Sequence, residues 1–266
     1  SCRRGRPTAV LFLTRQFFYF TCCKGREICV HSLTLLATRS IGERFYDAFI
    51  KADRWKLYLE GLGVTIQITI FAALLGVIIG MVLAFMKLSR RKNGKHSIFS
   101  LIATAYVDII RGTPSVLQLM IMYFVILTSV NSGVLVAIIS FGINSGAYVC
   151  EIIRAGILAV DSGQMEAGRS LGLSQATTMR KIIIPQAIKN VLPPLGNEFI
   201  VLMKETAIVG YVALADITRV AQQIGSRTFD YFPPLIIAAA VYFVIIKILS
   251  VLLGVLERRL RKSDLR

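Results

Sequence analysis

The sequence predicts an all-α, polytopic membrane protein with about five transmembrane helices. Three observations carry that reading. Of the 266 residues, 55% are hydrophobic and 17% charged, and the mean hydropathy is +0.66, outside the range of soluble globular domains. Residues 62–86, 112–150 and 233–246 contain no charged side chain, and a helix needs about 20 mostly apolar residues to cross a bilayer. The basic residues lie between these runs. A net charge of +16 then fixes orientation by the positive-inside rule. A nucleic-acid binder would gather it on one soluble face, so no nucleic-acid partner is expected.

The first span is Leu62–Met86. Gly76 and Gly80 within it have the G-x-x-x-G spacing that lets two helix backbones approach closely. The loop "KLSRRKNGKH" follows, with five basic residues and no acidic one. It is expected on the cytoplasmic side. A mixed stretch, "SIFSLIATAYVDIIRG", leads to a second span from Pro114, placed in the first helical turn where its missing N–H is not needed, to about Val130. "NSG" at 131–133 is a turn, and a third span runs to about Arg154. A fourth, from about Ala187 to Met203, carries Pro193 and Pro194, read as a break in the helix. Residues 206–232 balance Asp216 and Asp230 against Arg219 and Arg227 and suit an outer loop. The fifth span is about Pro233 to Leu256, before a basic tail. Five spans place the loop at 87–96, the segment at 155–186 and the C-terminus on one side.

Residues 1–40 break the pattern. They hold seven basic residues, one acidic residue and four of the five cysteines, yet five spans would put them outside. "VLFLTRQFFYF" is too short, and too interrupted by Arg15, for a span or a signal peptide. This basic stretch is read as not native to the functional protein. No cysteine or histidine spacing fits a metal site.

One polar segment interrupts the oily runs: "EAGRSLGLSQATTMRKIIIP", Glu166 to Pro185. Glu166 and Ala167 can start a helix, Gly172 suits a turn, and Ser174 can cap a second helix. Pro185 marks the next membrane element. The spacing reads as helix, glycine turn, helix at the membrane surface: a docking site.

The segment resembles the EAA loop of ABC importer membrane subunits: E-A-A, three residues, G, nine residues, I-x-L-P. Here stand Glu166-Ala167-Gly168, then Gly172, then Ile182-Ile183-Ile184-Pro185. Gly168 replaces the second Ala and Ile184 replaces Leu. Further stretches are similar to the polar amino acid branch of that family: "GLGVTIQITI" at 61–70, "YVDIIRGTPSVLQL" at 106–119, "SGAYVCEIIRAGILAVDSGQMEAGRSLGLS" at 145–174 and "LPPLGNEFIVLMKETAI" at 192–208. The likeness covers roughly residues 56–260.

The resemblance implies the ABC importer permease (MetI-like) fold. Residues 41–60 would form a pre-membrane segment, 61–260 the transmembrane permease domain with its coupling loop at 166–185, and 261–266 a basic cytoplasmic tail. Residues Glu166, Ala167, Gly168, Leu171, Gly172, Ile182 and Pro185 would couple to an ATPase. The implied partners are ABC ATPase subunits, a second permease copy or paralogue, an extracytoplasmic amino acid-binding protein and membrane lipid. The place is the bacterial cytoplasmic (inner) membrane. The chain has no G-x-x-x-x-G-K-[ST] loop, so ATP and Mg belong to the partner ATPase and no cofactor is expected here. A secondary transporter or channel without an ATPase is the competing reading.

Ionisable groups at membrane depth are functional candidates. Glu198, next to Asn197 and beyond the two prolines, is the sharpest, because broken helices hold substrate in other transporters. Lys204, Arg111 and Gln118 complete the candidate pathway. Glu151 and Arg154 stand three apart and can pair, as can Asp108 and Arg111.

Overall fold

The structure, a computed structural model, describes residues 40–88 and 97–262. The readings for residues 1–39, for most of the basic loop and for the last four residues lie outside these. Among the described residues every regular element is helical.

Helix α1, Ile41–Phe49, starts at a capping box. The Ser40 hydroxyl accepts from the Glu43 N–H, and the Glu43 carboxylate accepts from the Ser40 N–H. Ala52 and Asp53, both at φ +55°, then turn the chain into α2, Arg54–Leu88. At 35 residues α2 measures about 52 Å and overreaches a hydrocarbon core of about 30 Å.

Helix α5, Gly133–Leu158, runs parallel to α2, and glycines set the contact. A Cβ at Gly80 would stand 2.6 Å from the Val149 Cβ, and one at Gly76 3.0 Å from Ser145. The reverse also holds: Gly142 and Gly146 of α5 receive Leu75 and Ile79, at 2.6 and 2.7 Å from a Cβ. Each helix thus places a side chain over the other's backbone, as small residues permit where no hydrophobic effect drives association.

The second crossing differs from the sequence reading. It is two helices, α3 (Ile98–Arg111) and α4 (Ser115–Ile121, prolonged by a π-helical turn over Met122–Ile126), bent by 102°. The stretch expected to lead into the span is its first half. Pro114 stands at the N-cap of α4 rather than in its first turn. Pro bars the residue before it from the helical region, which fixes the bend at Thr113.

The fourth crossing also differs. Helix α8, Ile184–Glu205, continues through Pro193 and Pro194. Neighbouring spans tolerate prolines in membrane helices, and here Gly156 of α5 packs on Val191 while Leu253 packs on Gly196. Between α5 and α8 lie α6 (Ser162–Ser170) and α7 (Gln175–Thr178), the latter joined to α8 by a π-helical turn over Met179–Ile183.

Residues 206–232, read as a loop, are ordered instead. A 3-10 turn over Thr206–Val212 leads to α9, Ile217–Thr228. Ile217, Val220, Ala221 and Ile224 pack on Tyr58 of α2 and on Ala238 of α10 (Phe232–Lys262). The central core joins Ile68 and Ala72 to Leu119, Phe141, Leu202 and Val209.

Among the described residues helices α2, α5 and α10 are long and apolar enough to cross a membrane, and the bent α3–α4 pair raises that number to four when it is counted as one span. The 22 residues of α8 span about 33 Å, though its polar residues keep it below that apolar standard. Chain order then puts α1 and α9 at one end of the bundle and α6 and α7 at the other.

Candidate functional site

The segment 162–185 is built by its caps. Asp161 accepts from the Gly163 N–H at 2.9 Å and starts α6 four residues before the expected Glu166. The helix closes as a Schellman motif: Leu173 N–H to Gly168 O at 3.1 Å and Gly172 N–H to Arg169 O at 3.0 Å, with Gly172 at φ +81°. Nothing lies within 4 Å of a Cβ built there, so glycine is needed for its backbone alone. Gly168 is needed for space: a Cβ would meet the Thr178 side chain at 2.5 Å. Ser174 caps α7 through the Thr177 N–H at 3.2 Å.

This packing turns Leu171 outward, 80% exposed, with Glu166 and Ala167 exposed beside it. Pro185 opens α8, and of its three preceding isoleucines Ile183 is buried while Ile182 is half-buried. Thr178, which the sequence reading missed, holds Gly168 from the second helix and donates to Ser174 O. The result is a two-helix bracket with one exposed apolar side chain, Leu171, at its tip.

A polar row crosses the bundle where α3 breaks. Gln118 donates to Ile110 O at 2.7 Å and to the Thr113 hydroxyl at 2.6 Å, and accepts from Asn144 at 2.9 Å. Its amide therefore satisfies backbone freed by the bend, as buried polar groups require. Next along α5, Ser145 donates to Glu198 of α8 at 3.0 Å. Arg111 lies over the Tyr148 ring, 5.2 Å from its centroid, a cation–π contact. Among the described residues no ion pair joins it to Asp108.

The candidates thus divide. Gln118 and Glu198 meet neighbouring residues of α5. Asn197 is exposed. Lys204 is exposed and lines a separate groove of about 470 Å³ with Thr218, Ala238 and Tyr242. Asn144 and Ser145 were missed because small polar residues are common in membrane helices; their G-x-x-x-G frame, Gly142 and Gly146, was the available signal.

Near the α6 end Glu151 takes Arg154 Nη2 at 2.8 Å and also Lys87 of α2. The expected i,i+3 pair is a triad that ties α2 to α5. At the opposite end buried Asp216 caps α9 through the N–H groups of Thr218 and Arg219, at 3.0 and 2.9 Å. Burial pushes its carboxyl up, against those bonds.

The sequence profile described as binding-protein-dependent transport system inner membrane component matches residues 76–262. The chain belongs to that family. As a permease it is 42% identical over 209 residues to the arginine transport system permease protein ArtQ of Bacillus subtilis (strain 168), covering 77% of this chain and 93% of that one. The L-cystine transport system permease protein TcyB of the same organism is 37% identical, with 79% and 89% covered. A crystal structure of an amino acid ABC transporter with histidines shares 48% identity, covers 77% of this permease and 94% of the solved chain, and superposes with a TM-score of 0.71. The permease is thus an ABC importer membrane subunit with the expected fold.

Proposed function

We propose that this permease forms the translocation pathway for a polar amino acid in an ATP-driven importer of the bacterial cytoplasmic membrane. The α6–α7 bracket is the docking piece. Its exposed Leu171, held on a Schellman turn, suits a cleft in an ATPase subunit, where ATP and Mg reside. An extracytoplasmic binding protein delivers the cargo at the α9 end, and a second copy or a paralogue completes the pathway. The second helix of the bracket runs on into α8, so motion of the bracket reaches Glu198 through α7 and α8.

Relatives are named for arginine and for cystine. These share an α-ammonium and differ in side chain. A Glu198 carboxylate fits the shared group, since an ionisable residue at membrane depth needs a partner.

Co-purification tests the reading. The chain is expressed with the ATPase encoded beside it and captured by a tag, with and without Glu166→Lys. The ATPase is expected with the parent and lost with the variant. Its absence from both, despite good membrane expression, would sink the proposal. Glu198→Gln is expected to lower uptake while leaving ATPase capture intact.

A further inference from the structure

Helix α1 is seated by one face only. Arg44 grips Asp230 through two hydrogen bonds, Nε to Oδ2 at 2.6 Å and Nη2 to Oδ1 at 2.9 Å. Phe45 meets the Phe232 ring edge-on at 6.4 Å, and Ala48 is buried. Beside this seat large apolar side chains stay open: Ile41 is 67% exposed and Tyr46 57%, followed by Phe49 and Ile50, and by Trp55 and Leu59 at the start of α2. Facing water, so many exposed large apolar side chains would be a liability.

A groove of about 400 Å³ separates α1 from α10. Tyr46, Phe49 and Ile50 line one wall; Ile237, Ala240 and Val241 line the other. Val241 lies nine residues into α10, about 14 Å along its axis, roughly half the hydrocarbon thickness. The groove is therefore continuous with the lipid-facing surface of a membrane-crossing helix. Lys51 and Lys56 flank this stretch with side chains 56% and 55% exposed, each also paired with a carboxylate, Lys51 with Asp47 at 3.2 Å and Lys56 with Asp53 at 2.7 Å. Tyr46 and Trp55 beside them are the residue types that favour the membrane–water interface.

We propose that α1 is an interfacial helix lying in the headgroup layer at the α9 end of the bundle. The groove beneath it holds one acyl chain of a phospholipid, and Lys51 and Lys56 meet lipid phosphate. Apolar face down and charged rim up is the pattern of helices that lie in the interface plane. The helix then fixes the depth of the start of α2, and through Arg44–Asp230 it steadies the turn between α9 and α10. Only the name of the leaflet rests on the function proposed above.

Trp55 is the one tryptophan in the chain, so its emission reports this depth. The full chain is placed in phosphatidylcholine vesicles brominated near the glycerol end or near the methyl end of one acyl chain. Glycerol-end bromines are expected to remove most of the emission and methyl-end bromines little. Quenching by aqueous iodide with no effect of either lipid, or stronger quenching from the methyl end, overturns the placement. The groove is tested with a phosphatidylcholine carrying a photoactivatable acyl chain. Adducts are expected on Tyr46, Ile50 and Val241, and Ala240→Phe is expected to abolish them while sparing those on Phe243 and Val244, which also report that the variant inserts. Undiminished α1 adducts in the variant, or none on α1 in the parent while Phe243 is labelled, overturn the groove assignment. Chain-to-chain cross-links through the groove would likewise overturn it in favour of a second copy.

Discussion

At one end of the bundle Leu171 projects from a two-helix bracket and is 80% exposed; at the other, Ile217, Ala221 and Ile224 of a similarly polar segment are buried against Tyr58 and Ala238. Both segments interrupt apolar runs and both contain short capped helices. They differ in what lies beneath. The bracket packs chiefly on itself, Gly168 against Thr178, and leaves its apolar tip exposed. Helix α9 packs on the overreaching start of α2 and the start of α10, and Asp216 caps it from within. A short polar segment becomes a lid where its own chain covers its apolar residues, and stays open where it does not.

The largest expected effect comes from breaking the seam that joins the two ends. Gly80→Leu drives a side chain into Val149 and the Cys150 backbone. Overpacking of this kind costs about 3 kcal/mol or more where the backbone cannot retreat. Folded, monodisperse protein recovered in detergent should fall sharply, and an unchanged melting temperature would show that the seam is pliable.

Asp216→Ala tests the lid. Loss of a helix N-cap costs about 1–2 kcal/mol, and amide exchange should quicken over residues 217–224 ahead of the rest of the chain. Gly172→Ala tests the bracket. A non-glycine residue in the left-handed region costs about 1 kcal/mol, borne by a turn that little else packs against. Uptake should drop while the melting temperature stays within error; Gly172→Asn should be milder, because Asn tolerates that region. Equal uptake by all three proteins would remove the bracket from the mechanism.

The smallest effect is one of pH. The Arg44 guanidinium holds the Asp230 carboxyl below the usual carboxylate range. A depressed pKa contributes stability above the unfolded value, about 3.9, and that contribution is lost as pH falls through the folded value. Protection of the α1 amides, taken relative to the intrinsic exchange rate at each pH, should therefore fall below about pH 4. A flat profile would mean that Phe45 and Ala48 seat the helix without the ion pair.

Much of the bracket was legible because capping chemistry is local. Ser174 and Gly172 each mark a backbone state set by the residue itself, a side-chain cap and a left-handed turn. The helix-break reading was misplaced. It looked for a broken helix at Pro193–Pro194, yet the break is at Gly112–Pro114. A proline breaks a helix only where no packed neighbour holds it, and sequence does not list neighbours. Helix α9 was missed for the same reason, since its apolar stripe gains meaning only against Tyr58 and Ala238.

By itself the sequence determined that this chain is helical and membrane-embedded, which end is basic, and where the bracket turns. Those properties follow from composition, run length and single-residue backbone preferences. Only the tertiary structure decided which helix breaks, that Glu198 meets Ser145, that Glu151 ties α2 to α5, and that α1 keeps an apolar face open. Each of these depends on which surfaces meet, and the meeting is fixed by close-packed glycine contacts between residues about 70 positions apart, such as Gly80 and Val149.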